Sequence, residues 1–257
     1  KSMAALAAAG TLPLSARASA SLKMMIPANP GGGWDTTGRA LGKAMQDAGV
    51  ASTVSYDNKG GAAGALGLAQ FVNASKGDPN ALMVMGAVML GGIITSKPAV
   101  NLSQVTPIAR LTSEYNVFVL PASSPLKTMK DVVEQLKKDP GSGYSEFAEY
   151  ITTGKMRAIG VTSDKRIKGI EVPTLKEQGI NVVIGNWRGV YGGAGITPDQ
   201  RKALTEIIVK ATKSKAWSES LEKNGWTPAL MTGPEFDKFV DDEFAVLRAI
   251  MAKSGMI

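Results

Sequence analysis

The chain has 257 residues, 44% hydrophobic and 20% charged, with a mean hydropathy of +0.01; this is ordinary for a globular protein and enough for one large or two smaller domains. It contains neither cysteine nor histidine, which excludes disulfides, thiolate nucleophiles, histidine-based triads and zinc sites. The formal charge of +7 is carried by lysines scattered along helical faces, such as Lys202, Lys210, Lys213 and Lys215, and no run of five basic residues occurs, so a mildly basic solvated surface fits better than a nucleic-acid partner.

Residues 1–20 read as an export leader. Met3 to Leu14 is a short apolar stretch, Ala18-Ser19-Ala20 fits the A-x-A cleavage pattern, and the run falls short of the ~20 residues a membrane span needs. Cleavage near Ala20 would leave 27 basic and 22 acidic residues, a charge of +5, on a periplasmic protein.

From residue 21 strands and helices alternate. Leu22–Ala28 reads as strand, Trp34–Ala48 as helix, and Thr53–Asp57 as an alternating strand that ends in the turn Asn58-Lys59-Gly60-Gly61. Ala62–Ala74 is a small-residue helix, Ala81–Met85 a buried strand, and Gly86 opens a further glycine-punctuated segment. Unbroken apolar strands in a βαβαβ order predict a parallel sheet covered on both faces. Val105–Leu111 and Asn116–Leu120 are strands, Met129–Lys138 and Tyr144–Thr153 helices, Met156–Thr162 a strand and Leu175–Gln178 a short helix. Asn181–Ile184 leads through Trp187 and Arg188 to a second crossing-like segment, and the remainder reads as helical, including Ala203–Ala211 and 234–253.

The stretch that promises chemistry is Asn29-Pro30-Gly31-Gly32-Gly33-Trp34-Asp35, an apolar strand followed by three glycines and a helix start. Glycines allow close approach of a ligand to the backbone, and the free N–H groups and dipole of a first helical turn favour an anion. The loop is not a P-loop, because no Gly-Lys-Ser/Thr follows, and Gly61, Gly64 and Gly67 miss the dinucleotide-binding spacing. Asp35 reads as an N-cap rather than a ligand contact. Trp34 either packs under the loop or walls the cleft. Arg188 can fork onto a carboxylate or join a salt bridge. Lys59 reads as a solvated turn residue, Ser145 as a cap or a ligand contact at the helix beginning at Tyr144, Met83, Met85 and Met89 as core, and Asp241-Asp242 as a solvated face rather than a catalytic pair.

The sequence resembles the periplasmic substrate-binding proteins of tripartite tricarboxylate transporters, the Bug receptors, and most of all their tricarboxylate-binding branch. The residues that carry the likeness are Pro27 to Asp35, Asn58 to Gly64, Pro79 to Gly86, Val105 to Leu111, Arg157 to Ser163, Val172 to Glu177 and Asn186 to Val190, collinear from residue 22 to the C-terminus. The resemblance implies an α/β, two-domain Venus-flytrap fold of the type II periplasmic-binding kind. Its hinges would lie near Phe118–Pro121 and Trp187–Tyr191, with domain 1 at 21–120 plus 190–257 and domain 2 at 121–189. It also implies that a ligand carboxylate is held in the interdomain cleft, largely by backbone N–H groups and ordered water, and then passed to a membrane permease. Carried over by motif, the contacts are Asn29, Pro30, Gly31, Gly32, Gly33, Trp34 and Asp35, then Asn58, Gly60 and Gly61, then Gly86 and Ala87; Tyr144, Ser145, Trp187 and Arg188 are added from their places in the chain.

One stretch of the family pattern is missing. Between Gly141 and Gly143 a second glycine-rich loop and its strands are absent, at least one βαβ unit of roughly 30 residues or more. Domain 2 is then expected to be incomplete. The reading is a non-enzymatic, monomeric receptor without cofactor or metal that captures a small, citrate-like di- or tricarboxylate for a permease. Two others stand beside it: a truncated, ligand-incompetent sensor or interaction module, and a hydrolase using the same cleft, against which no Gly-x-Ser-x-Gly elbow or metal cluster is present.

Overall fold

The computed structural model describes residues 20–131, 154, 156–167 and 169–257. The leader 1–19, the predicted helix Tyr144–Thr153, most of Met129–Lys138 and the Gly141–Gly143 junction lie outside the described residues; of Met129–Lys138, residues 129–131 are described and are helical.

A six-stranded sheet dominates the molecule, in the order β2-β1-β3-β7-β4-β8. β1 (Ala20–Ile26), β2 (Ala51–Asn58) and β3 (Ala81–Gly86) are parallel, joined by α1 (Gly33–Asp47) and by a short 3-10 turn (Ala62–Gly64) that runs into α2 (Ala65–Ala74). β7 (Gly185–Gly192), β4 (Thr106–Tyr115) and β8 (Thr227–Thr232) add antiparallel strands. The sheet is therefore mixed, not parallel throughout as the alternation predicted. β3, buried at all six positions, sits at its middle, which is why ALMVM carries no polar face. β2, at the edge, alternates. α3 (Ala87–Ser96), α4 (Pro198–Ala211), α5 (Lys215–Asn224) and α6 (Gly233–Lys253) complete the large lobe, whose core includes Ile26, Leu41, Met45, Leu82, Met83, Met85, Trp187 and Phe236.

β8 is a strand where the sequence reading continues a helix. Ser214 and Gly225 bracket α5, with the Ser214 hydroxyl accepting from Trp217 N–H and Gly225 in the left-handed conformation at φ +61°; the chain then returns along β4. Thr197 and Gln200 form a capping box at the start of α4, with Pro198 in its first turn.

A second, two-stranded antiparallel sheet joins β5 (Val117–Pro121) to β6 (Met156–Val161). An isolated pair of strands is marginal in water. Here one face packs Met129, Ile159 and Leu175 and the other Val117, Val161 and Val172.

Phe118–Pro121 and Trp187–Tyr191, expected as hinges, are strand residues. The chain passes between the sheets at Asn116 and again at Ile184–Gly185, because the β4–β7 pairing runs out at Tyr115 opposite Gly185. Thr162 ties the two passages together. Its N–H donates to Asn116 O (2.9 Å) and its carbonyl accepts from Ile184 N–H (3.1 Å). Its hydroxyl accepts from Asn116 N–H (2.9 Å) and donates to Ile184 O (2.6 Å), with the residue only 2% exposed.

Candidate functional site

Three strand-to-helix junctions lie side by side at the C-terminal ends of β2, β1 and β3, the edge at which open α/β sheets bind ligands. The first leaves β1 through Pro27–Gly32 and enters α1, with Gly31 at φ +84° and Gly32 as an extended N-cap. The second leaves β2 through Gly60 and turns with four successive positive φ values, +123° at Gly61, +48° at Ala62, +51° at Ala63 and +94° at Gly64. A left-handed alanine costs about 1 kcal/mol, so the two alanines are held there against their own preference. The third passes from β3 through Gly86 into α3.

None of these helix starts carries a side-chain cap. Asn101, Thr197 and Ser214 cap the 3-10 turn Leu102–Gln104, α4 and α5 away from this edge, while α6 also starts without one. First-turn N–H groups have no intrahelical acceptor, so this edge offers donors and positive dipole ends together.

The junctions enclose a cleft of about 590 Å³. Of the residues expected from the sequence, Asn29, Gly31, Gly32, Gly33, Trp34, Gly60, Gly61 and Arg188 line it. Pro27, Ala28, Ala63, Gly64, Val88, Glu114 and Asn186 join them without having been expected. A second opening, of about 640 Å³, is lined by Ser163–Ile167 with α5 and β8 residues and includes no glycine loop from these junctions.

Trp34 serves in both roles open to it. It is buried in the core, its ring fills the space a Cβ on Gly64 would take (2.8 Å), and it forms part of the cleft wall.

Asp35 is not the N-cap. Three glycines let the helix begin earlier, so Asp35 is its third residue and reaches back, accepting from Gly31 N–H (2.9 Å), Arg39 Nε (2.9 Å) and Asn58 Nδ2 (3.0 Å). Asn58 also donates to Ala28 O (3.1 Å), so Asp35 and Asn58 brace the loop from behind instead of lining the cleft. Burial by itself would raise the Asp35 carboxyl, but Arg39, the Gly31 N–H and Asn58 outweigh it and hold the group below its ordinary value of 3.8. Asp35→Asn is expected to lower stability at neutral pH by about 2 kcal/mol, since an amide cannot accept from all three donors. With the folded pKa depressed, this contribution is full above the ordinary value and is lost as pH falls through the lowered one. Urea unfolding of both proteins at neutral pH and well below 3.8 checks this; a gap that does not close in acid would refute it.

Trp187 and Arg188 are adjacent in β7 and so face opposite sides of the sheet. Trp187 points into the core, edge-on to Phe236 (6.0 Å) and Phe239 (5.2 Å), with Nε1 donating to Glu243 (3.1 Å). Arg188 points to the cleft, ion-paired with Glu114, near Thr37 Oγ1 (3.4 Å) and with its guanidinium 5.3 Å from the Trp226 ring centroid. Its side chain is 8% exposed, and burial lowers its pKa against the pull of Glu114. Gly33 is what lets it lie against the start of α1, because a Cβ there would stand 2.8 Å from Nη2. Asn186 Oδ1, beside this pair in register with Glu114, is buried and has no hydrogen-bond partner among the described residues.

Pro30, Gly86 and Ala87 flank the junctions but do not line the cleft, Lys59 is an exposed turn residue, and Tyr144 and Ser145 lie outside the described residues. Met83, Met85 and Met89 are core, and Asp242 pairs with Lys238 on the surface. Among the described residues no group of three or more carboxylates could hold a metal ion, and no helix is long and apolar enough to cross a membrane. Sequence reasoning missed Glu114, whose only signal was a carboxylate near the end of an apolar strand.

Solved structures share this fold. A TctC solute-binding protein from Polaromonas, solved without ligand, superposes with a TM-score of 0.73 at 23% identity over 91% of this chain and 99% of that one. MatC from Rhodopseudomonas palustris, solved with malate, gives 0.73 at 17% identity (93% and 99% covered). An R. palustris protein solved with adipate gives 0.72 at 16% (91% and 97%). The chain matches, over residues 143–256, the family model of the tripartite tricarboxylate transporter family receptor. It is 24% identical to the UPF0065 protein in gbd 5'region of Cupriavidus necator, over 98% of this chain and 95% of that one. It is 23% identical to protein BugT of Bordetella pertussis, over 91% and 89%. The C. necator alignment runs over 315 positions, so at least 58 of them (315 less 257) have no counterpart here. This agrees with a stretch missing relative to the family.

Proposed function

We propose that the chain captures a small di- or tricarboxylate, citrate-like or of the malate and adipate kind, and presents it to the membrane permease of a tripartite tricarboxylate transporter. The observation that carries this reading is the convergence of three helix starts without side-chain caps, together with Arg188, on one cleft. Malate and adipate in the two R. palustris neighbours support the carboxylate class. The residues act by binding alone: the glycine loops donate N–H groups, Arg188 adds a fork, and Trp34 and Val88 supply apolar walls. The lobes in this reading are residues 20–115 with 185–257, and 117–184, closing about Asn116 and Ile184–Gly185 as a monomer.

Calorimetry and thermal shift with malate, adipate and citrate test this. One of them is expected to bind saturably and stabilise the fold, by about 2.7 kcal/mol at a hundred times its dissociation constant. A second reading, a shortened receptor that no longer holds ligand, is favoured by the 58 or more unmatched positions. It predicts no stabilisation by any of the three.

A further inference from the structure

We infer that Glu114 is a tethered stand-in for the ligand's carboxylate, so that capture is an exchange of one carboxylate for another on Arg188. The inference rests on the carboxylate-binding reading above and adds to it a residue that sets which ligands succeed.

Arg188 stands in an electrostatically awkward place. Its guanidinium lies against Gly33, the first residue of α1, where the dipole is already positive and the first N–H groups are uncapped. A cation at that end of a helix is unfavourable, so guanidinium and helix together call for an anion. The chain supplies one from within. Glu114, in β4 one strand away, places its carboxylate on Arg188 Nη2 and lines the same cleft.

The hold on Glu114 differs from the hold on Asp35. Asp35 has three donors and is fixed as a brace. Glu114 has Arg188, and among the described residues no other side-chain hydrogen bond restrains its carboxylate. Its side chain is 17% exposed, facing the opening from which a ligand would come, while Arg188 is enclosed by Gly33, Thr37 and Trp226 and stays put. A ligand carboxylate can therefore take the place of Glu114 without Arg188 moving. Until it does, the fork is filled and adventitious anions gain little. An occupancy of the internal pair of about nine-tenths lowers apparent affinity about 10-fold, because only the open fraction is competent.

Glu114→Gln tests the exchange, using malate, adipate, citrate and acetate as probes in calorimetry. The variant is expected to bind the best of these about 10-fold more tightly than wild type, and to bind acetate measurably where wild type does not. Its ligand-free melting point is expected to fall and its ligand-induced shift to grow. A merely structural pair predicts a lower melting point with affinity unchanged or weaker, and that result overturns the inference while leaving the carboxylate reading intact. Should neither protein bind any probe, both fall; should only the variant bind, the exchange is supported directly. Glu114→Asp, which keeps the charge one methylene shorter, is expected to shift affinity the same way by less. It decides the matter if the glutamine variant does not fold.

Discussion

Gly86→Ala is expected to lower the stability of the folded chain by about 3 kcal/mol, the upper part of the range for forcing a methyl into a packed interior. Gly86 is extended, at φ −176°, so its conformation is open to any residue. What forbids a side chain is space. A Cβ on Gly86 would overlap the carbonyl oxygen of Trp187 and stand 3.2 Å from Trp34 Nε1. The Trp187 oxygen belongs to the backbone of β7, which pairs with β3 opposite Gly86, so relief requires parting the ladder at the middle of the large sheet. The same shift would move Arg188, the next residue of β7, away from the start of α1. Thermal unfolding should fall by roughly 9 °C, and on the proposed carboxylate-binding function affinity should fall with it. Wild-type stability in the variant would mean that β3 and β7 are less closely apposed than described.

Thr162→Val is expected to cost a similar amount, about 3 kcal/mol, by a different route. Valine fills the same volume but leaves Asn116 N–H and Ile184 O without the hydroxyl that now serves both, each in a site where Thr162 is 2% exposed. An unsatisfied buried group costs about 1–3 kcal/mol. Thr162→Ser keeps the hydroxyl and should lose less than about 1 kcal/mol, so the pair separates the hydrogen bonds from the packing. Hydrogen exchange at the Asn116 amide should quicken in the valine variant and not in the serine one; equal behaviour of the two would refute the argument.

The first glycine loop was readable because everything that makes it is local. A strand of apolar residues, three glycines and a helix-period pattern lie within a few turns of one another, and the observed β1, Gly31–Gly33 and α1 follow that text closely. Asp35 was legible as a residue that satisfies donors at a helix start, but its position was shifted, because glycines at 32 and 33 let the helix start before it and turned a cap into a brace. Trp187 and Arg188 were read together as one crossing segment. Strand parity separates them, one to the aromatic core and one to the cleft, and that parity became visible only once β7 was placed between β3 and β4. β8 escaped for the opposite reason: Thr227-Pro228-Ala229-Leu230 is a short edge strand with a proline, and its partner β4 is remote in sequence. Glu114 depended on the same remote pairing, which no spacing within the chain announces.

The placement of β7 has a consequence for how the chain can grow or shrink. The large sheet is completed by a strand that arrives only after the smaller lobe has been traversed, and the two points of departure and return are adjacent, held at one threonine. The chain thus makes an excursion that leaves this scaffold at Asn116 and rejoins it at Ile184, at neighbouring points. Changing the length of such an excursion alters closure entropy only logarithmically, about 0.6 kcal/mol for each doubling. A change in the number of residues between Asn116 and Ile184 is therefore expected to leave the pairing of the large sheet, and the glycine loops at its edge, as they are.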